Sequence, residues 1–334
     1  MESGSIATKA ASGLRYDPNW WKVASQAEAP PPPELDDVFK LRAFAEELVH
    51  GISKREPYPD AVEETKTELD SPDGSHKFTV SRFATAEQRA PPEEGEPPRP
   101  AVLYLHGGGM VSCTVETVAP AIARGVAATG VQYFAVDYPL APEFRAPAAV
   151  DDVYAALQWL SRGAAGMHVD PARIAVMGDS AGGGLAAGAV LMARDRGLSP
   201  PVAKQVLVCP MLDDRTRYPD GWPLLDFVTW TARDNDLAWD AYLGAENRGK
   251  PGVSVYAAPG RVEDAAGLPS TYIEVGGLDL FRDEDMRYAL KLAEANVEVE
   301  FHLYPGVPHG FEGGVGSHVV TKALEGRIRA VQAV

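Results

Sequence analysis

The apolar run Ile174-Ala175-Val176-Met177 stops at Gly178-Asp179-Ser180-Ala181-Gly182 and gives way to a glycine- and alanine-rich stretch. The pattern predicts strand, sharp turn and helix, with Ser180 at the apex. A serine on so tight a turn crowds the residues two before and two after it. Gly178 and Gly182 remove the side chains that would collide there. The hydroxyl then stands above a helix N-terminus, whose free N–H groups favour negative charge. The competing reading is a glycine-rich turn with an incidental serine. The strand before it and the helix after it favour a nucleophile.

A serine hydroxyl is a poor nucleophile at neutral pH and needs a base within hydrogen-bond reach. Of the seven histidines, His309 alone follows the last expected strand within a glycine-bracketed loop, Pro308-His309-Gly310-Phe311. An imidazole titrates near neutrality, so it can take the serine proton and return it to the leaving group. An acid behind the imidazole fixes its tautomer and stabilises the imidazolium. Asp279, directly after the strand-end sequence Gly276-Gly277-Leu278, is the first choice. Asp283, Glu284 and Asp285 compete, but they open a helix, where acids are favoured in any case. The oxyanion of a tetrahedral intermediate needs donors. Ala181 N–H is one, and Gly108 and Gly109 of His106-Gly107-Gly108-Gly109 are the others, because side chains there would keep the backbone from substrate. Gly107 is an alternative that suits shaping the turn better, and His106 suits bracing the loop rather than chemistry.

These residues need elements that bring them together. Glu34–Gly51 has apolar residues at helical spacing, after the spacer-like run Pro30–Pro33. Tyr16, Trp20 and Trp21 suggest a segment that packs on something. Strand-like runs at Thr65–Leu69 and Lys77–Phe83 flank Ser71-Pro72-Asp73-Gly74, which predicts an antiparallel hairpin. From Ala101 onward, strands are expected at 101–105, 131–136, 174–177, 206–208, 271–275 and 297–303. Helices are expected at 118–128, 147–160, after Ser180, at 283–295 and from about Ser317. This alternation predicts an α/β fold: a mostly parallel central sheet with helices on both faces. The long interval between Pro210 and Ser270 holds a helix at Asp234–Gly244 and the aromatics Trp222, Phe227, Trp230, Trp239 and Tyr242. It is too long for an ordinary connection and reads as a lid. In open parallel sheets ligands bind beyond the carboxyl ends of the strands, where Ser180, Asp279 and His309 all fall, in that chain order.

The chain has 334 residues, 45% hydrophobic and 23% charged, which suits one large domain with an accessory part. A net charge of −16 argues against nucleic acid and anionic membranes as partners. Cys113 and Cys209 sit in apolar surroundings and are expected to be reduced and buried. No secretory signal and no run of about 18 apolar residues is visible, so a soluble cytoplasmic protein without a membrane span is the expectation. No metal or cofactor motif accompanies the serine.

Together, His106–Gly109, Asp137–Glu143, Gly178–Gly183, Leu278–Glu284 and His309–Phe311 resemble the hormone-sensitive-lipase-type carboxylesterases of the α/β-hydrolases. The resemblance runs from about Ala101 to the C-terminus. It implies Ser180, Asp279 and His309 as a catalytic triad and Gly108, Gly109 and Ala181 as oxyanion donors. It also implies an N-terminal cap segment at 1–58, a hydrolase core at 59–334 and a cap insertion at about 213–250. Met110 stands where the family usually has an aromatic residue and should line the acyl or alcohol side of the pocket. Met110 and Asp179 are the substrate-binding candidates. Gly184 stands where asparagine is common. The implied activity is hydrolysis of short- to medium-chain or specialised-metabolite esters through an acyl-enzyme. An acyltransferase or product-releasing hydrolase with the same triad is the alternative. A non-catalytic small-molecule receptor is the third reading, and an intact His309 argues against it. The partner is a small-molecule ester, and a homodimer is a further possibility that the resemblance raises.

Overall fold

The structure, a computed structural model, describes residues 13–26, 36–55, 57–91 and 93–334. The expected spacer at 30–33 and the first two residues of the helix expected from Glu34 lie outside them. Two helices come first, α1 (Pro18–Ala24) and α2 (Val38–Ser53). The hairpin strands β1 (Val62–Asp70) and β2 (Lys77–Thr85) lead to the short α3 (Ala86–Arg89). Alternation then begins with β3 (Arg99–Leu105), α4 (Val115–Thr129), β4 (Gln132–Asp137), α5 (Ala148–Gly163), β5 (Val169–Asp179), α6 (Ala181–Asp195) and β6 (Lys204–Val208). After a long interval containing α7 (Ala232–Leu243) come β7 (Ser270–Gly276), α8 (Arg282–Glu294), β8 (Val299–Tyr304) and α9 (His318–Gln332).

All eight strands form one sheet in the order β1-β2-β4-β3-β5-β6-β7-β8. The hairpin is antiparallel and pairs antiparallel with β4, and every later pairing is parallel. This is the α/β-hydrolase arrangement expected from the sequence. Period-two alternation sorts the side chains. Ala101, Leu103 and Leu105 of β3 join a core with α5 and α6, while Val102 and Tyr104 join one with α4 on the other face. Both faces are therefore covered, as a parallel sheet requires.

Local signals set the helix ends. Thr114 and Thr117 form a reciprocal capping box, so α4 starts three residues before the expected 118, and Gly130 at φ 71° ends it. Asp137, at the end of β4, accepts from Val115 N–H at 3.0 Å, fixing the start of α4 to the sheet. The N-terminal aromatics do pack. Trp20 is buried, its indole N–H donates to Phe311 O at 2.8 Å, and Tyr16 Oη donates to Phe227 O at 3.1 Å. Both cysteines are free and buried, as expected. Among the described residues no helix is long and apolar enough to cross a membrane.

The glycines around Ser180 let β5, α6 and β3 meet. A Cβ on Gly178 would lie 2.2 Å from Gly182 O, and one on Gly182 would lie 2.1 Å from Leu105 O. Both contacts are with backbone, which cannot swing aside. Gly182→Ala is therefore expected to lower unfolding stability by about 3 kcal/mol or more. Urea denaturation checks this, and a variant as stable as the parent contradicts the packing described.

Candidate active site

Ser180 adopts φ 54°, ψ −118°, a backbone conformation that L residues rarely take, between the end of β5 and the start of α6. Its hydroxyl makes no capping bond to α6. It meets His309 Nε2 at 3.0 Å instead, and His309 Nδ1 meets Asp279 Oδ2 at 2.8 Å. A carboxylate only accepts, so the proton of the imidazole belongs on Nδ1, and Nε2 is left to accept from Ser180 Oγ. Asp279 is fully buried, and its other oxygen accepts from Phe281 N–H at 2.9 Å. The competing acids lie elsewhere. Glu284 accepts from the Leu212 and Asp213 N–H groups and from the Thr216 hydroxyl, and burial pushes its carboxyl up to about 8. Both Asp285 oxygens are buried and find no partner among the described residues, and Asp283 pairs with Arg282 at 2.7 Å.

The glycine loop expected to supply oxyanion donors runs beside the serine: a Cβ on Gly107 would lie 3.4 Å from Ser180 Cβ. Gly108 has φ 120° and Gly109 φ 65°, and the loop closes on itself through Val111 and Ser112 N–H donating to Gly108 O. The N–H groups of Gly108, Gly109 and Ala181 find no acceptor within the described chain. A Cβ on Gly109 would lie 2.7 Å from Trp230 Cη2 and 3.2 Å from Ala238 Cβ, so the 213–250 interval comes down on this loop. The same interval reaches His309, where Thr229 Oγ1 donates to its carbonyl at 2.6 Å. Phe281 meets the imidazole edge-on with centroids 5.1 Å apart. His106 is buried, stacked on Tyr138 at 4.2 Å, with Tyr138 Oη donating to its carbonyl at 2.7 Å, which is a bracing position.

Sequence reasoning missed Arg42 of α2. Its guanidinium donates to Val111 O, to Ala141 O at 2.8 Å and to both oxygens of Glu143, tying the N-terminal helix to the glycine loop. A lone arginine on an amphipathic helix carries no signal for this. Met110, at φ 64°, is buried, and its Cε would lie 3.5 Å from a Cβ on Gly184. That Cβ would also be 2.2 Å from Met211 O, so glycine at 184 answers a close backbone approach. Asp179 meets a different neighbourhood from that of a substrate ligand. Its carboxylate accepts from Tyr104 Oη on the α4 side of the sheet, and burial pushes it up to about 6.

Among the described residues, Cys209, Asp279 and His309 are the one group of metal-ligating side chains, with ligand atoms within 4.8 Å of one another. Asp279 and His309 are already bonded to each other in line with a hydroxyl, an arrangement suited to moving a proton. Burial, the largest influence on His309, pushes its pKa down. The Asp279 charge and hydrogen bond, with the Glu312 and Asp179 charges, outweigh it, and the pKa stands above the ordinary histidine value.

The chain belongs to the α/β-hydrolase family: a model described as alpha/beta hydrolase fold matches residues 102–313. It is 37% identical over 255 residues to Esterase LipI of Mycobacterium tuberculosis, covering 73% of this chain and 74% of the relative. It is 30% identical over 311 residues to an ethyl acetate hydrolase of Pseudomonas putida, covering 88% and 89%. Among solved structures, a bacterial heroin esterase superposes with a TM-score of 0.84 at 34% identity, over 95% of this chain and 97% of that one. With these relatives, the fold and serine site define a carboxylic ester hydrolase of the hormone-sensitive-lipase type.

A general base must be neutral to accept a proton. With His309 as that base, its raised pKa is expected to place the acid limb of kcat/KM above the ordinary histidine value of 6.5. Removing the Asp279 charge in Asp279→Asn is expected to move that limb to lower pH. It should also reduce kcat by about 10³-fold or more, through loss of the correct tautomer. Initial rates from pH 5 to 9 check both, and an unmoved limb at full rate rejects Asp279 as the acid.

Proposed function

We propose that this chain hydrolyses carboxylic esters of small acyl groups through an acyl-enzyme on Ser180, with His309 as base and acid and Asp279 as its orienting acid. The observation that carries the reading is the unbroken Asp279–His309–Ser180 hydrogen-bond chain, at 2.8 and 3.0 Å; among the described residues, the Gly108, Gly109 and Ala181 N–H groups find no acceptor. His309 takes the Ser180 proton as Oγ attacks the carbonyl carbon. The Gly108, Gly109 and Ala181 N–H groups receive the developing oxyanion. His309 then protonates the leaving alkoxide, and water repeats the sequence to release the acid.

The described parts of the N-terminal segment 1–58 and the interval at about 213–250 act together as a cap. Trp230 against Gly109, Thr229 on His309 O and Arg42 on the glycine loop support this. Met110 forms one wall beneath that cap, and Asp179 serves through its charge. Small acyl groups are favoured because bulky Trp230 and Phe281 flank the imidazole, and a relative carries the name of ethyl acetate hydrolase. A base in bonding contact with the serine supports turnover over a receptor role.

Ser180→Ala is expected to abolish hydrolysis of p-nitrophenyl acetate and butyrate, with unchanged circular dichroism. Undiminished turnover rejects the mechanism. The edge strand β8 and its neighbours expose Leu290, Leu303 and Leu324, and these support a homodimer through that edge. Leu290→Glu/Leu303→Glu should then elute as a monomer on size exclusion, while a parent chain that is itself monomeric excludes the dimer.

A further inference from the structure

A second charged layer lies behind the proton relay, and this inference rests on the serine-hydrolase reading above. Its carboxylates sit on the three segments that carry Ser180, Asp279 and His309. Asp179 immediately precedes the serine, Glu274 lies on β7 upstream of Asp279, and Glu312 follows His309 in the same loop. One guanidinium, Arg327 of α9, meets two of them: Nε donates to Glu274 Oε1 at 2.6 Å, and Nη2 donates to Glu312 Oε1. Glu274 is fully buried, and its other oxygen accepts from Tyr272 Oη at 2.5 Å. Asp179, held by Tyr104, is the third acid in the field of Arg327. The approach of α9 to β7 is close enough that a Cβ on Gly326 would lie 2.7 Å from Tyr272 Oη. Gly326 thus sets Arg327 against the sheet.

Other ties on the His309 loop are hydrogen bonds to its carbonyls: His309 O accepts from Thr229, Phe311 O from Trp20, and Val307 O from Leu278 N–H at 3.0 Å. Among the described residues, the Glu312–Arg327–Glu274 bridge is its ion-pair tie to the strand that leads to Asp279. We propose that Arg327 is a positioning residue for the hydrolytic reaction: by clamping Glu312 to Glu274 it holds the base and its acid on one post and keeps Glu312 as a second negative charge on the imidazole. Such a charge stabilises the imidazolium that forms as Ser180 attacks. Burial pushes Glu312 up, but the Arg327 charge and the hydrogen bonds outweigh it and hold the carboxyl below the ordinary range, so it is ionised at neutral pH. Among the described residues, the groups that bear on His309 include Asp279 beyond β7, Asp179 at the end of β5, Glu312 on its own loop with Arg327 bound to it, and the Cys209 thiol after β6. Trp230 and Phe281 present uncharged rings.

The test uses the full chain with p-nitrophenyl acetate. Active sites are titrated by a fluorophosphonate that labels Ser180, so that kcat is expressed per reactive serine. Arg327→Met is expected to lower that kcat by about 10²-fold through misplacement of the base, with KM moving by no more than about threefold. Arg327→Lys should recover part of the loss. Glu312→Gln should move the acid limb of kcat/KM to lower pH, because a negative charge on the His309 loop is gone. A merely structural arginine predicts fewer reactive serines, each with the parent kcat, and an unmoved limb in Glu312→Gln; that pair of results overturns the proposal. Should Arg327→Met not fold, the Glu312→Gln limb decides alone. Parent turnover with Ser180 labelled keeps the serine-hydrolase reading standing whatever the variants do, and a parent that is not labelled at Ser180 overturns both.

Discussion

The turn at Ser180 is the constraint on which the other parts depend. A residue held at φ 54°, ψ −118° is strained, and it persists because β5, α6 and the end of β3 close on it with no side chain in the way at Gly178 or Gly182. The strain has two consequences. The hydroxyl is turned away from capping α6, so it is available to His309. With no side-chain cap from Ser180, the Ala181 N–H at the start of α6 finds no acceptor among the described residues. Backbone bonds from Ser180 N–H to Val208 O and from Met211 N–H to Ser180 O tie the same turn to β6 and the segment after it.

The charges are arranged on a second principle. Buried acids are numerous here, and each differs in what it faces. Asp279 gives one oxygen to Phe281 N–H and the other to the imidazole. Glu284, a few residues on, spends its oxygens on the chain at Leu212, Asp213 and Thr216, which ties the start of the 213–250 interval to α8. Asp179 is adjacent to the nucleophile in sequence, yet the strand alternation sends its carboxylate to Tyr104 on the opposite face. Neighbours in sequence therefore have unrelated roles, and the sheet decides which acid reaches the base.

That division explains how much could be read in advance. The fold was legible because period-two runs, glycine-bounded turns and capping residues are local signals. The strands and helices from Ala101 onward fall within a few residues of expectation, except that β5 begins at Val169, where pairing of Arg99 with Val169 extends it. Ser180, Asp279 and His309 were legible from their places after strands, and the structure brings them within bonding distance. Ties that join distant segments were not legible. Arg42 to Glu143, and Arg327 to Glu274 and Glu312, leave no pattern in the chain, because an arginine on a helix usually meets only water. In the sequence, the short α1 shows only as aromatics in need of a surface, and that surface includes the His309 loop, where Trp20 donates to Phe311 O.

The most direct test of the account is mass spectrometry of the chain quenched during turnover of a slowly deacylated ester, followed by peptide mapping. The account predicts one added acyl group, on the peptide carrying Ser180, that disappears as the ester is consumed. An acyl group on another residue, or turnover with no covalent species under conditions in which deacylation is the slow step, would contradict it.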